Sequence, residues 1–151
     1  LYVLSSHVQI LCFTTKGKVF WLKVYEIPVA SRISKGRPLV NMLNLDDDER
    51  VSEILPVEEF SEKHFVFMAT RKGITKKTNL SLFARKWKSG IKAINLDDDD
   101  RLIGTAITDG TKEILLASSA GKLIRFKESK VRAMGRTARG VKGIKLKKDQ
   151  K

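Results

Sequence analysis

With 151 residues the chain is long enough for one ordinary core, or for a few units of a larger repeat array. A hydrophobic content of 42% excludes a disordered polyelectrolyte, and a net charge of +13 with a pI near 10.0 points to a polyanionic partner. The lone cysteine, Cys12, excludes an intramolecular disulfide and fits a reducing compartment, while no apolar run approaches a membrane span and Leu1–Phe13 lacks the basic start of a secretory signal.

In chain order, residues 1–15 read as strand through Tyr2, Val3, Leu4, Val8, Ile10, Leu11 and Phe13. Lys16-Gly17 supplies a turn, because glycine tolerates the positive φ of tight hairpins. Val19–Tyr25 returns as the partner strand and Pro28 ends it. Residues 29–38 form a basic connection, Leu39–Leu45 another strand, and Asp46–Glu49 an exposed turn. Val51–Val57 is a strand and Glu58–Lys63 a polar linker. A second hairpin follows: His64–Thr70, the turn Arg71-Lys72-Gly73, then Ile74–Thr78. Ser81–Lys88 contains a short helical turn, Ile91–Leu96 is a strand, Asp97–Asp100 an exposed turn, and Leu102–Ile107 a strand. From Glu113 a third hairpin turns at Gly121 and returns over Lys122–Lys127, before Gly140 opens an alternating run that closes on Leu146.

Those parts recur. The turn glycines are Gly17, Gly73 and Gly121, the second glycines Gly36, Gly90 and Gly140, and the closing leucines Leu45, Leu96 and Leu146. A period of about 50 residues indicates a propeller, solenoid or similar array. The repeats are approximately 1–57, 58–107 and 108–151, each of about four short strands, within one all-β domain spanning 1–151.

Charge follows the repeat. Segments 14–37, 71–92 and 121–148 hold 25 of the 30 Lys and Arg, and of the acids only Glu26 and Glu128. The other acids crowd into the intervening segments, chiefly 46–62 and 97–113. Stacked units would therefore join their basic segments into one stripe, the electrostatic footprint of nucleic-acid binding. The tetrads Asp46–Glu49 and Asp97–Asp100 lack the glycine and distal glutamate of an EF-hand, so they read as solubilising turns that keep DNA off their face.

Nothing in the chain reads as a catalytic centre. His7 and His64 sit at the edges of apolar strands and read as structural. Cys12, between Leu11 and Phe13, reads as core. Neither a nucleophile triad, a metal-ligand cluster nor a phosphate-binding glycine loop is present, and Ser119-Ala120-Gly121 is a hairpin turn. Tyr2, Tyr25 and Trp21 read as packing residues, whereas Trp87, inside Arg85-Lys86-Trp87-Lys88, fits either packing or a sugar-phosphate contact.

The strings CFTTKGKVFWLKVYEIPVASR, KGRPLVNMLNL, VFMATRKGITKKT and LIRFKESKVRAMGRTARGVKGIKL together resemble the C-terminal domain of the A subunit of DNA gyrase, in matching order over essentially the whole chain. The paralogous topoisomerase IV subunit is similar in design. The resemblance implies a β-pinwheel, a propeller-like disc of about six four-stranded blades, of which three repeats are roughly half. It implies non-sequence-specific wrapping of double-stranded DNA around a basic rim, which lets the parent enzyme introduce negative supercoils with ATP. The partners implied are the rest of the gyrase A subunit, together with the gyrase B subunit, in a bacterial cytoplasm at the nucleoid. Strand cleavage belongs to another part of the A subunit. ATP and magnesium are bound elsewhere, so no cofactor is expected in this chain. The family's glutamine-arginine-arginine-glycine-glycine-lysine-glycine box is absent here. In the family it lies just upstream of sequence like Leu1–Phe13, so the chain is expected to be a fragment that contacts DNA without wrapping it fully.

Charge pattern and resemblance together place the expected DNA contacts on Arg32, Lys35 and Arg37; on Arg85, Lys86 and Lys88; and on Arg132, Arg136 and Arg139. Lys16, Arg71, Lys72 and Lys122, at the turns, form a second tier. Phosphate contacts position DNA without reading bases, so sequence specificity is expected to be low. The rival readings are a propeller-type module whose basic rim docks an acidic protein, an RNA-binding array, and the topoisomerase IV subunit itself. Free blade edges also favour pairing with a second copy.

Overall fold

A computed structural model describes residues 1–147 and 150–151; Lys148, the last residue of the third basic segment, lies outside them. The strands are β1 (Gln9–Thr14), β2 (Lys18–Lys23), β3 (Val51–Val57), β4 (Phe65–Thr70), β5 (Ile74–Asn79), β6 (Ile91–Lys92), β7 (Leu102–Thr108), β8 (Glu113–Ala117), β9 (Leu123–Lys127) and β10 (Val141–Lys142). The remaining regular elements are four 3₁₀ turns, at Val24–Glu26, Leu39–Asn41, Leu80–Phe83 and Glu128–Lys130, so the described residues are all-β. No helix among them is long and apolar enough to cross a membrane.

Each hairpin is built on one local device. The hydroxyl of Thr14, Thr70 or Ser118 accepts a hydrogen bond from the backbone N–H four residues on, at 3.2 Å in all three turns. Gly17, Gly73 and Gly121 donate their N–H to the carbonyl of that same residue at 2.9 Å. Their φ values of 74, 78 and 74° lie in the left-handed region, where a side chain is strained. The hairpin positions expected from the glycine spacing are therefore the observed ones.

The sheets are not assembled one per repeat. The first has the order β3-β1-β2-β6 and the second β10-β5-β4-β7, while β8 and β9 pair as a two-stranded sheet. Strands β6 and β10 thus leave their own repeat to pair with the preceding hairpin, Val19 opposite Ile91 and Thr75 opposite Val141. Both are locked by the turn they reach. The Gly17 carbonyl accepts from the N–H groups of Ala93 and Ile94, and the Gly73 carbonyl from those of Gly143 and Ile144. Four strands per unit, the expectation from counting, becomes three of a unit's own and one lent by the next.

Strand exchange also explains where the elements differ from expectation. Ile91–Leu96 is a strand for two residues only, because the chain then turns onto the Gly17 carbonyl. Leu39–Leu45 is not a strand. Both edges of the β1–β2 hairpin before it are taken, by β3 and β6, and it follows Pro38, which has no N–H to donate. It forms a 3₁₀ turn at Leu39–Asn41 and folds Leu39, Met42, Leu43 and Leu45 over Ile10, Cys12, Phe20 and Leu22. Residues 1–8 are likewise not strand, although the Tyr2 hydroxyl donates to the Ile54 carbonyl at 3.0 Å. β2 stops at Lys23, ahead of Pro28, because a 3₁₀ turn takes up Tyr25.

The main core follows from strand alternation. Leu11, Phe13 and Val19 point from the first sheet toward Val66 and Met68 of the second, and Leu80, Phe83, Ala93, Ile94 and Leu102 close the space between them. The Phe13 and Phe83 rings meet edge to face, centroids 5.9 Å apart. The opposite face of the first sheet holds Ile10, Cys12, Phe20 and Leu22, covered by the Leu39–Leu45 segment.

Candidate nucleic-acid interface

After β2, β5 and β9 a 3₁₀ turn diverts the chain into the basic connections, approximately 27–38, 84–90 and 131–140. The diversion is capped locally: the Asn79 side chain accepts from the Ser81 N–H at 2.9 Å, and the Glu26 carboxylate from the Lys23 N–H at 2.7 Å. Two of the connections then lie along the outer edge of the preceding hairpin. The Trp21 indole donates to the Phe83 carbonyl at 2.8 Å, and Gly90 sits directly on the Phe20 ring. One repeat on, Ala133 bridges to Lys77 and the Met134 N–H donates to the Lys77 carbonyl at 2.8 Å. The first connection has no such support, and Val29 and Ile33 in it stand fully in solvent.

The expected contact residues fall into four environments. Arg32, Lys35, Arg37, Lys86, Lys88 and Arg132 are exposed and make no ion pair among the described residues. Arg85 lies over the Trp87 ring, 4.6 Å from its centroid, with the indole still 45% exposed. Arg136 is half-buried, and Arg139 is paired with Asp97. Of the turn residues, Arg71 and Lys122 are exposed and unpaired among the described residues. Lys16 and Lys72 are not free: Lys16 pairs with Asp46 and Asp48, and Lys72 with Asp99.

The acidic tetrads are therefore more than solubilising turns. Their first and third residues carry ion pairs, Asp46 and Asp48 to the first hairpin turn, Asp99 to the second and Asp97 to Arg139 of the third connection, and their last is buried. Glu49 accepts from the Thr14 hydroxyl, and Asp100 from the Lys72 N–H at 3.0 Å. The lysine hydrogen bonds hold the Asp46, Asp48 and Asp99 carboxyls below the usual carboxylate range, and bonding to Asp48 raises Lys16. Acids thus neutralise lysines at the first two hairpin turns, and most of the unpaired charge among the expected contact residues lies on the connections.

Sequence counting placed Lys76 and Lys77 in the second basic segment, yet both are buried. Strand alternation gave no sign of it, since ITKKTN carries no apolar partner pattern. Cys12 is fully buried and burial pushes its thiol up to about 12, far from a thiolate nucleophile at neutral pH. His7 and His64 are exposed.

Four-stranded sheets that exchange strands around shared cores, with basic connections on their outer edges, define a propeller-type module with a cationic rim. The chain belongs to the family described as the DNA gyrase C-terminal domain, beta-propeller, which it matches over residues 9–58, 64–109 and 112–151. It is 54% identical over 151 residues to the A subunit of DNA gyrase from Salmonella typhimurium, covering 100% of this chain and 17% of that protein. Over 146 residues it is also 54% identical to the A subunit of DNA gyrase from Haemophilus influenzae, again 17% of the relative. Among solved structures, the C-terminal domain of DNA topoisomerase IV superposes with a TM-score of 0.88 at 31% identity, covering 97% of this chain and 46% of that one. The DNA gyrase A C-terminal domain superposes with a TM-score of 0.78 at 23% identity, over the same shares of the two chains. The chain thus spans about a sixth of the full-length relatives and just under half of the solved domains.

Proposed function

We propose that this chain binds double-stranded DNA without sequence specificity along its basic connections, as part of the wrapping surface of a gyrase A subunit. One observation carries the reading: basic connections recur after the hairpin in three repeats and, Arg139 excepted, keep their charge unpaired among the described residues, while acids neutralise Lys16 and Lys72 at the first two turns. Lysines and arginines spaced along successive units can follow a bent duplex. Bending 20–30 base pairs costs on the order of 1–6 kcal/mol, offset by phosphate contacts and counterion release. In the parent enzyme this wrap serves ATP-dependent negative supercoiling, with the remainder of the A subunit, and with the gyrase B subunit, in the bacterial cytoplasm. ATP and magnesium act there at sites outside this chain. Identity near 54% to gyrase A subunits favours gyrase over the topoisomerase IV subunit, whose solved domain is 31% identical.

The test is binding to a duplex of about 40 base pairs across a salt series. A steep, sequence-indifferent loss of affinity with salt is expected. Replacing Arg32, Lys35, Arg37, Arg85, Lys86, Lys88, Arg132, Arg136 and Arg139 together with alanine should abolish most of it without unfolding the chain. Binding that is flat with salt, or unchanged in the ninefold variant, would remove the rim from the reading and leave an acidic protein as the partner to seek.

A further inference from the structure

Lys76 belongs by sequence to the basic segment 71–92, but it is fully buried, so it touches no phosphate. From β5 its Nζ donates to the Ala93 carbonyl at 2.7 Å and to the Arg136 carbonyl. Ala93 lies in the segment lent to the first hairpin, and Arg136 in the third basic connection. One amine therefore ties three parts of the molecule together. The same hairpin position is Phe20 in the first repeat, where the ring packs on Gly90 and under the Leu39–Leu45 cover, and Ile124 in the third, where it is 38% exposed.

The third connection is held on either side of Arg136. Val131 is its one buried apolar residue, and Ala133 and Met134 pair by backbone with Lys77; further on, the Ala138 carbonyl accepts from the Asn95 N–H at 3.1 Å and Arg139 pairs with Asp97. Between these ties, the hydrogen bond to the Arg136 carbonyl comes from Lys76. We propose that Lys76 is a positioning residue for DNA binding: by gripping the Arg136 carbonyl from inside the fold, it presents the Arg136 side chain to the phosphates. This rests on the DNA-binding reading above. Packing alone would be met by an apolar side chain, as at Phe20; two directed hydrogen bonds add an orientation that packing does not. The ammonium is held at a cost, since burial, and then the nearby Arg136 charge, draw the Lys76 pKa down to about 8.

A double-mutant cycle on the 151-residue chain tests it, read by duplex affinity across a salt series with thermal melting as the check on folding. Lys76→Met should weaken binding by roughly three- to tenfold and lower the salt slope by about one, although the lysine itself reaches no phosphate. Arg136→Ala should do the same, and the double variant should lose little more than either single one. Lys76→Met combined with Arg37→Ala, a residue of the unsupported first connection, should instead lose affinity additively. Lys76→Gln, which keeps two N–H donors, should fall between wild type and Lys76→Met, and takes its place in the cycle if the methionine variant does not fold. Wild-type affinity and slope in Lys76→Met, or an equal further loss in the Arg136→Ala background, would overturn the proposal while leaving the rim reading intact. Absence of DNA binding by the unmodified chain would instead overturn the rim reading, and this proposal with it.

Discussion

The molecule joins its repeats at two seams of opposite chemistry. Between the first and second sheets the contact is apolar, with Leu11, Phe13 and Val19 against Val66, Met68, Leu80 and Phe83. Between the second sheet and the third hairpin it is polar. Lys77 reaches the Glu128 carbonyl at 3.3 Å and lies 4.0 Å from its carboxylate, which also accepts from the Thr108 hydroxyl at 2.6 Å. Hairpin positions match across the seams, so Lys77 stands where Trp21 does, and Glu128 where Leu80 does. A shared backbone fixes where a side chain points and leaves its chemistry open. The apolar seam gains stability from area removed from water, which is forgiving of the partner's shape. The polar seam holds only while every buried group keeps its partner.

That contrast can be broken first at Phe83. Phe83→Ala removes the ring packed on Phe13 at the centre of the apolar seam, and should cost about 4 kcal/mol in urea unfolding. A loss below about 1 kcal/mol would mean that the first two sheets do not depend on this core. Next in size is Glu128→Ala, which strands a buried lysine and should cost about 3 kcal/mol. Replacing Lys77 by Met and Glu128 by Leu together should recover most of that loss, because an apolar pair leaves no charge unsatisfied. If the pair variant is as unstable as Glu128→Ala, the second seam is not limited by its ions.

The smallest effect expected sharpens the comparison at the turns. Asp46, Asp48 and Asp99 have carboxyls lowered by Lys18, Lys16 and Lys72 respectively. Their contribution is present above the ordinary carboxylate range and is lost as pH falls through the lowered values. All three are exposed, so the loss should be slight and salt-sensitive. Acid titration followed by hydrogen exchange should loosen the first two hairpin turns. The Ser118–Gly121 turn has no acidic tetrad against it among the described residues and should not respond.

Local periodicity was legible wherever a backbone conformation demanded one residue type. Gly17, Gly73 and Gly121 announced the turns, and the apolar runs in QILCFT and FVFMAT announced the strands behind them. The exposed connections were legible too, because runs such as Arg85-Lys86-Trp87-Lys88 carry too much charge to bury without partners. The candidate rim was therefore largely visible in the chain. What it lost in the structure were residues whose neighbours come from distant segments: Arg139 to Asp97, Lys72 to Asp99, and Lys16 to Asp46 and Asp48.

The sequence by itself determined the all-β repeat, its hairpins and the segregation of charge, since each depends on φ, side-chain alternation or solvation within a few residues. Only the tertiary structure decided which sheet each short strand joins. A two-residue strand such as Ile91–Lys92 has no register of its own, and an edge left by another repeat must supply it. For the same reason Leu39–Leu45, with strand-like composition but with both edges of the hairpin before it taken by β3 and β6, became a cover for the first sheet. Lys76 shows the converse: a residue that reads as surface charge is buried because strand exchange and the next connection bring two carbonyls to its amine.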